Sequence, residues 1–360
     1  MKAARYYGPG KIVVEDIPEP TAERSQIKIK VAWNGICGTD LHCFLMRFPK
    51  SPTPSNPNEI SGETLPVTIG HEFSGTIVAL GEDVDVERYR VGDAVVVEPV
   101  FSCLKSSCEY CTAGTHNLCP LVNCIGIGGF GGGLAEYIAV NQSQVHLLPA
   151  NVSLEVGAMI EPLAVAWYAV KRSKYVSGCR TLVVGAGPIG LLTLAAIKAI
   201  DPSGTVFVSE PAALRRTLAT KQRATMVINP LEDDVWARIS ESTSGKGVDI
   251  VFDAAGVQAS MDVGLKCLRP RGSLIVVASW ETPPKVDMNT VLIKELVITA
   301  TNTYSGIHPE LLDAVAAGKF HHLDELITKK ILLKDVVEEG IKTLLSEKGS
   351  QVKVLVSPAS

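Results

Sequence analysis

The 360 residues are 46% hydrophobic and 20% charged, with a formal net charge of −4. That length favours two domains over a single core, and the mild acidity gives no reason to expect nucleic acid or an anionic membrane as a partner. No apolar stretch is long enough to span a bilayer. The opening, Met1 to Tyr7, lacks the apolar core of a signal peptide. A cytoplasmic protein is therefore expected, and in that reducing setting the nine cysteines are ligands or core thiols rather than disulfides.

Short β-like runs fill residues 1 to about 160: 11–16, 26–32, 74–80, 93–98, 136–140 and 145–148. Gly and Pro interrupt them repeatedly, as in a barrel-like all-β unit. The Pro-rich stretch 48–62 reads as a long structureless loop, of the kind that is functional or mobile. From about 181 the pattern changes to apolar runs at 181–184, 205–208, 226–228, 250–252, 274–277 and 296–300, separated by helix-length stretches. This alternation predicts a parallel sheet covered by helices, and six strands fit the doubly wound dinucleotide-binding fold. After about 304 come two helical patterns and a last strand, 352–356. The expected division is a catalytic domain over 1–161, completed by 305–360, and a nucleotide-binding domain over 162–304.

Three groups of residues carry chemistry. The run Cys37-Gly38-Thr39-Asp40-Leu41-His42, with the pair His71-Glu72, offers a thiolate, imidazoles, carboxylates and a hydroxyl. A catalytic zinc takes about three protein ligands and keeps one position open. Cys37 and His71 are the best candidates, and Glu72 or Glu161 could complete the set. Each has a plain alternative when taken alone: a satisfied core histidine, an acid in the first turn of a helix. Second, Cys103, Cys108, Cys111 and Cys119 form a compact polar quartet, the pattern of a closed structural zinc site. Cys43, Cys124, Cys179 and Cys267 read as ordinary packed or exposed thiols.

Third, Gly185-Ala186-Gly187-Pro188-Ile189-Gly190 follows an apolar strand and opens an apolar helix. In that context the first glycine makes the turn, the second admits a pyrophosphate and the third lets helix and strand pack. The free N–H groups of the helix start would face the phosphates. Glu210 ends the next strand, where an acid binds the ribose hydroxyls of NAD and repels a 2′-phosphate. Arg215 and Arg216 could be read as NADP-binding; with Glu210 present, NAD is favoured.

These stretches, together with Gly70-His71-Glu72-Phe73-Ser74-Gly75, Gly131-Gly132-Gly133-Leu134-Ala135-Glu136-Tyr137, Glu161-Pro162-Leu163-Ala164-Val165 and Ser209-Glu210-Pro211, run nearly end to end. The chain resembles the zinc-dependent medium-chain dehydrogenases, and within them the butanediol and polyol branch. The resemblance implies a GroES-like β-rich domain and a Rossmann domain, with zinc and nicotinamide between them. It places Cys37, His71 and Glu161 on the catalytic zinc, with Glu72 binding it directly or through water. It makes Thr39 and His42 the proton path to solvent, and it suggests a homodimer or homotetramer.

The implied reaction passes hydride between NAD and a small secondary alcohol or its ketone, zinc acting as a Lewis acid. A vicinal diol or α-hydroxyketone such as butane-2,3-diol or acetoin is favoured, with a sorbitol- or xylitol-type polyol or a biosynthetic secondary alcohol as the alternative. Two departures stand out. Four residues separate Cys103 from Cys108 where the family has two, so the loop either bulges to keep its ligand or leaves the structural site incomplete. The stretch 48–62 and Cys43, where specificity would be set, match no particular member.

Overall fold

The computed structural model describes residues 1–46, 51–347 and 349–358. The chain forms two compact units. One comprises Met1–Glu161, His308–Ala316 and Ile327–Ser360, the other Pro162–Ile307 and Ala317–Leu326.

The first unit is built on the strand Gln26–Gly35, in which Ile27, Ile29 and Val31 are buried while Lys28 and Lys30 point outward. This period of two gives one core face and one wet face. The strand pairs with Glu72–Leu80, Tyr137–Asn141 and the last strand, Lys353–Ser357, all antiparallel. Further out in the same sheet lie Ala94–Val97, Val145–Leu147 and Ile327–Leu332. A second sheet orders Lys11–Asp16, Lys2–Gly8 and Val67–Thr68. Ile27, Ile29, Phe73, Ile77 and Val95 join one apolar cluster, and Tyr6, Val67, Val336 and Val354 another.

The stretch Ile327–Leu332 (ITKKIL) spaces its apolar residues as a helix would, yet it forms an edge strand parallel to Lys353–Ser357. Backbone pairing with a buried neighbour outweighs local pattern here. The expected loop at 48–62 is also tighter than its composition implies. Residues 48–50 lie outside the described residues, but beyond them Thr53 and Asn56 bridge, and Asn58 Oδ1 accepts from the N–H groups of Ile60 and Ser61 at 2.9 Å each.

The second unit is the doubly wound sheet. Its parallel strands run in the order Met226–Ile228, Thr205–Ser209, Arg180–Val184, Val248–Asp253, Leu268–Val276 and Val297–Ala300. Leu182, Phe207, Val251 and Leu274 are wholly buried, the near-continuous apolar strands that a sheet covered on both faces requires. Among the described residues no helix is long and apolar enough to cross a membrane.

Candidate active site and metal centres

The pairing of Gly35 with Glu72, and of Leu355 with Gly35, sets the first site. A β-carbon on Gly35 would stand 2.2 Å from Glu72 Oε2; the glycine makes room for the carboxylate. Just beyond it, Cys37 caps the helix Gly38–Leu45, and its N–H donates to Asp40 Oδ2 at 2.9 Å. That contact fixes the helix start, with the Cys37 thiol beside the first turn. Donor atoms of Cys37, His71 and Glu72 all lie within 4.8 Å of one another.

The surroundings of this trio are strongly ionic and almost dry. His71 Nδ1 sits 3.7 Å from Asp40 Oδ1, with the side chains 5% and 2% exposed. Lys353 Nζ donates to Glu72 Oε1 at 2.8 Å, to Oε2 at 2.5 Å and to the Ile36 carbonyl at 3.2 Å. Burial works against charge on His71, but the Asp40 carboxylate, the Cys37 thiol and Glu161 outweigh it and raise the imidazole well above its ordinary range. Lys353 behaves the same way: burial opposes its charge, and Glu72, Cys37 and Glu161 hold it on. Burial raises Asp40 despite the nearby His71. A pocket that favours positive charge against desolvation suits a metal cation, and the sulfur, nitrogen and oxygen donors are those zinc takes.

Glu161, in the first turn of Ile160–Arg172 and 8% exposed, lies outside the close trio but within electrostatic reach of His71 and Lys353. Thr39 Oγ1 is 3.6 Å from Cys37 Sγ. His42 is half-buried three residues further along the same helix, so both lie on one face of it. Cys43 is 3% exposed and belongs to an apolar cluster with Ile12 and Val67, which makes it a core residue.

The four cysteines of the second site come together. Cys103 Sγ is 3.8 Å from Cys111 Sγ and 3.6 Å from Cys119 Sγ, and Cys108 Sγ is 3.9 Å from Cys119 Sγ. Zinc–sulfur bonds of about 2.3 Å at tetrahedral angles put sulfurs about 3.8 Å apart, so these spacings fit the ion without rearrangement. The wide first spacing is taken up by a bulge in which Leu104 adopts φ 50° and stands exposed. The Ser102 hydroxyl bonds Cys111 and lowers its thiol to about 6, easing the loss of the proton that a metal ligand must shed.

In the second unit Gly185 takes φ 90° at the end of its strand, and Gly187 caps the helix Pro188–Ile200. A β-carbon on Gly190 would lie 1.9 Å from the Gly185 carbonyl oxygen, whereas one on Gly187 would meet only Arg215 Nη1, at 3.7 Å. The protein therefore needs the third glycine for its own packing. It leaves open space at the second, where a phosphate would approach. Ile189 lies in the helix's first turn, half-buried. Glu210 is 3% exposed; its Oε2 accepts from the Ala186 N–H at 2.6 Å and its Oε1 from Ala212 N–H at 2.8 Å.

Residues 23–150 match the alcohol dehydrogenase GroES-like domain, and residues 188–317 the zinc-binding dehydrogenase domain. The (R,R)-butanediol dehydrogenase of Bacillus subtilis is 40% identical over 358 residues, spanning 99% of this chain and 100% of the relative. The chain belongs to the zinc-dependent medium-chain dehydrogenases. The sorbitol dehydrogenase of Bacillus subtilis is 32% identical over 360 residues, 99% of this dehydrogenase and 97% of that one. The crystal structure of 2R,3R-butanediol dehydrogenase from Bacillus subtilis superposes with a TM-score of 0.90 at 39% identity, covering 99% of each chain. This dehydrogenase is thus an alcohol dehydrogenase whose family works with zinc and a nicotinamide cofactor.

Sequence reasoning passed over two members of the first site. Asp40 lay inside the opening run, three residues after Cys37, and that helix-capping offset was its signal. Lys353 had none, because it reaches Glu72 across 281 residues of chain.

Proposed function

We propose that the enzyme interconverts a vicinal diol and its α-hydroxyketone, of the butane-2,3-diol and acetoin type, with NAD as hydride carrier. The observation that carries this reading is the trio Cys37, His71 and Glu72, with Glu161 close by. Three donors leave a position for substrate, and the pocket is rich in carboxylate rather than sulfur. When bound there, zinc supplies Lewis acidity that lowers the alcohol's pKa. Cys37 and His71 would hold it, with Glu72 or Glu161 as the third ligand. The chain's own work is positional: Lys353 orients Glu72, and Asp40 faces His71 Nδ1. The proton leaves at Thr39 Oγ1 and passes to solvent at His42, an imidazole suited to exchange near neutrality.

The Glu210 carboxylate, held by the turn it faces, favours NAD over NADP. Gly185, Gly187, Pro188, Ile189, Gly190 and Arg215 would line the pyrophosphate. The likeness to a sorbitol dehydrogenase supports a second reading, a polyol substrate.

A panel of butane-2,3-diol, acetoin, sorbitol, xylitol and ethanol, run with NAD and with NADP, decides between these. The diol with NAD should exceed ethanol in kcat/KM by at least about tenfold, or about 1.4 kcal/mol of transition-state binding. Equal turnover of ethanol would overturn the proposal, higher rates on sorbitol or xylitol would favour the second reading, and a strong preference for NADP would remove the role given to Glu210.

A further inference from the structure

Away from both metal centres described above, the first unit brings together two imidazoles and a carboxylate. Glu98 follows the strand Ala94–Val97, and His146 lies on Val145–Leu147 opposite Val96. The two are therefore diagonal neighbours on one face of the sheet. His308 comes from far along the chain, as the first residue of the helix His308–Ala316. The side chains of His308, His146 and Glu98 are 0%, 11% and 19% exposed. The two rings stack at 4.9 Å with 12° between their planes.

One donor atom from each residue lies within 4.8 Å of the others. Glu98 Oε2 is 3.1 Å from His146 Nε2 and 3.3 Å from His308 Nδ1. Zinc bonds to nitrogen and oxygen of about 2.0–2.2 Å at tetrahedral angles put donors about 3.3–3.5 Å apart. The two edges to Glu98 are already close to that, and the third, between the imidazoles, is under 4.8 Å. Burying two imidazoles and a carboxylate together is costly unless they are satisfied jointly.

We propose that Glu98, His146 and His308 form a third zinc site, with water in the fourth position, that clips the helix His308–Ala316 to the sheet. The helix is where the chain returns to the first unit after leaving it at residue 161, so the ion would fasten the re-entry point. The role is structural, and the reaction proposed above does not depend on it.

Elemental analysis of the purified full-length enzyme should give about three zinc ions per chain, one for each cluster. His308→Leu should lose one equivalent while keeping its circular dichroism and the zinc of the cysteine quartet. Equal zinc content in wild type and a folded His308→Leu would overturn the proposal and leave a hydrogen-bonded trio. A measurement on the unaltered protein guards against a variant that fails to fold: anomalous diffraction at the zinc edge from wild-type crystals. A peak at bonding distance from Glu98, His146 and His308 supports the site. Its absence, with a peak present at the four cysteines, refutes it.

Discussion

Lys353 and Glu72 are each 1% exposed, so neither charge is compensated by water. Breaking one side of a buried pair costs about 3–5 kcal/mol because the other charge is stranded. Lys353→Met should therefore lower the unfolding free energy read from urea titration by that much, and Lys353→Met with Glu72→Gln should recover a large part of it. A single substitution costing under ~1 kcal/mol would show that water reaches the pair. This residue also marks where sequence reading stops. Cys37, His71 and Glu72 were legible because metal-binding side chains with fixed neighbours leave a local pattern. Lys353 and His308 were not, since a lone lysine or histidine acquires meaning only from the fold that brings it to its partner.

Single elements are pinned by side chains as well as by backbone. Asp201 ends the helix Pro188–Ile200 and holds the turn into Thr205–Ser209. Its carboxylate accepts from Ser203 Oγ at 2.8 Å, Ser177 Oγ at 2.8 Å, Ser203 N–H at 3.2 Å, Gly178 N–H at 3.2 Å and Tyr175 OH at 3.1 Å. These donors, the Ser203 hydroxyl foremost, depress its pKa to about 2. A depressed carboxylate stabilises the fold above its unfolded pKa of about 3.9, and that contribution is lost as pH falls toward 2. Wild type should thus exceed Asp201→Asn at pH 6 by at most on the order of 2 kcal/mol, less whatever solvent screens. The gap should narrow between pH 4 and pH 2; urea midpoints that differ equally at pH 6 and pH 3 would show that the charge contributes nothing. At this scale the strands were read well wherever they are buried and continuous, as in 181–184 and 205–208. Ile327–Leu332 was missed because its partner, Lys353–Ser357, decides its conformation.

At the scale of the whole molecule, the outer edge of the parallel sheet leaves apolar side chains exposed among the described residues. Val297–Ala300 is the edge strand, with Val297 and Ile298 at 52% and 37% exposure. Leu292 and Ile293, on the preceding helix Met288–Lys294, are 75% and 80% exposed. An apolar edge with unpaired backbone groups invites a second strand, and a two-fold pairing of like edges closes the assembly. Pairing of two copies along this strand, as in a homodimer or within a homotetramer, is a prediction that the mass of the assembly checks. Ile298→Lys should halve the mass measured by light scattering, and an unchanged mass would place the contact elsewhere.

The bond between Lys353 and Glu72 also has a consequence in time. Its two halves are 281 residues apart, so at about 5–20 residues per second the ribosome delivers them about 15–55 seconds apart. Throughout that interval the nascent carboxylate lacks its ammonium, and every strand of the parallel sheet, from Arg180 to Ala300, is made within it. The nucleotide-binding half can be finished early. The catalytic half must wait, tethered and unfinished, for one of the last strands to arrive.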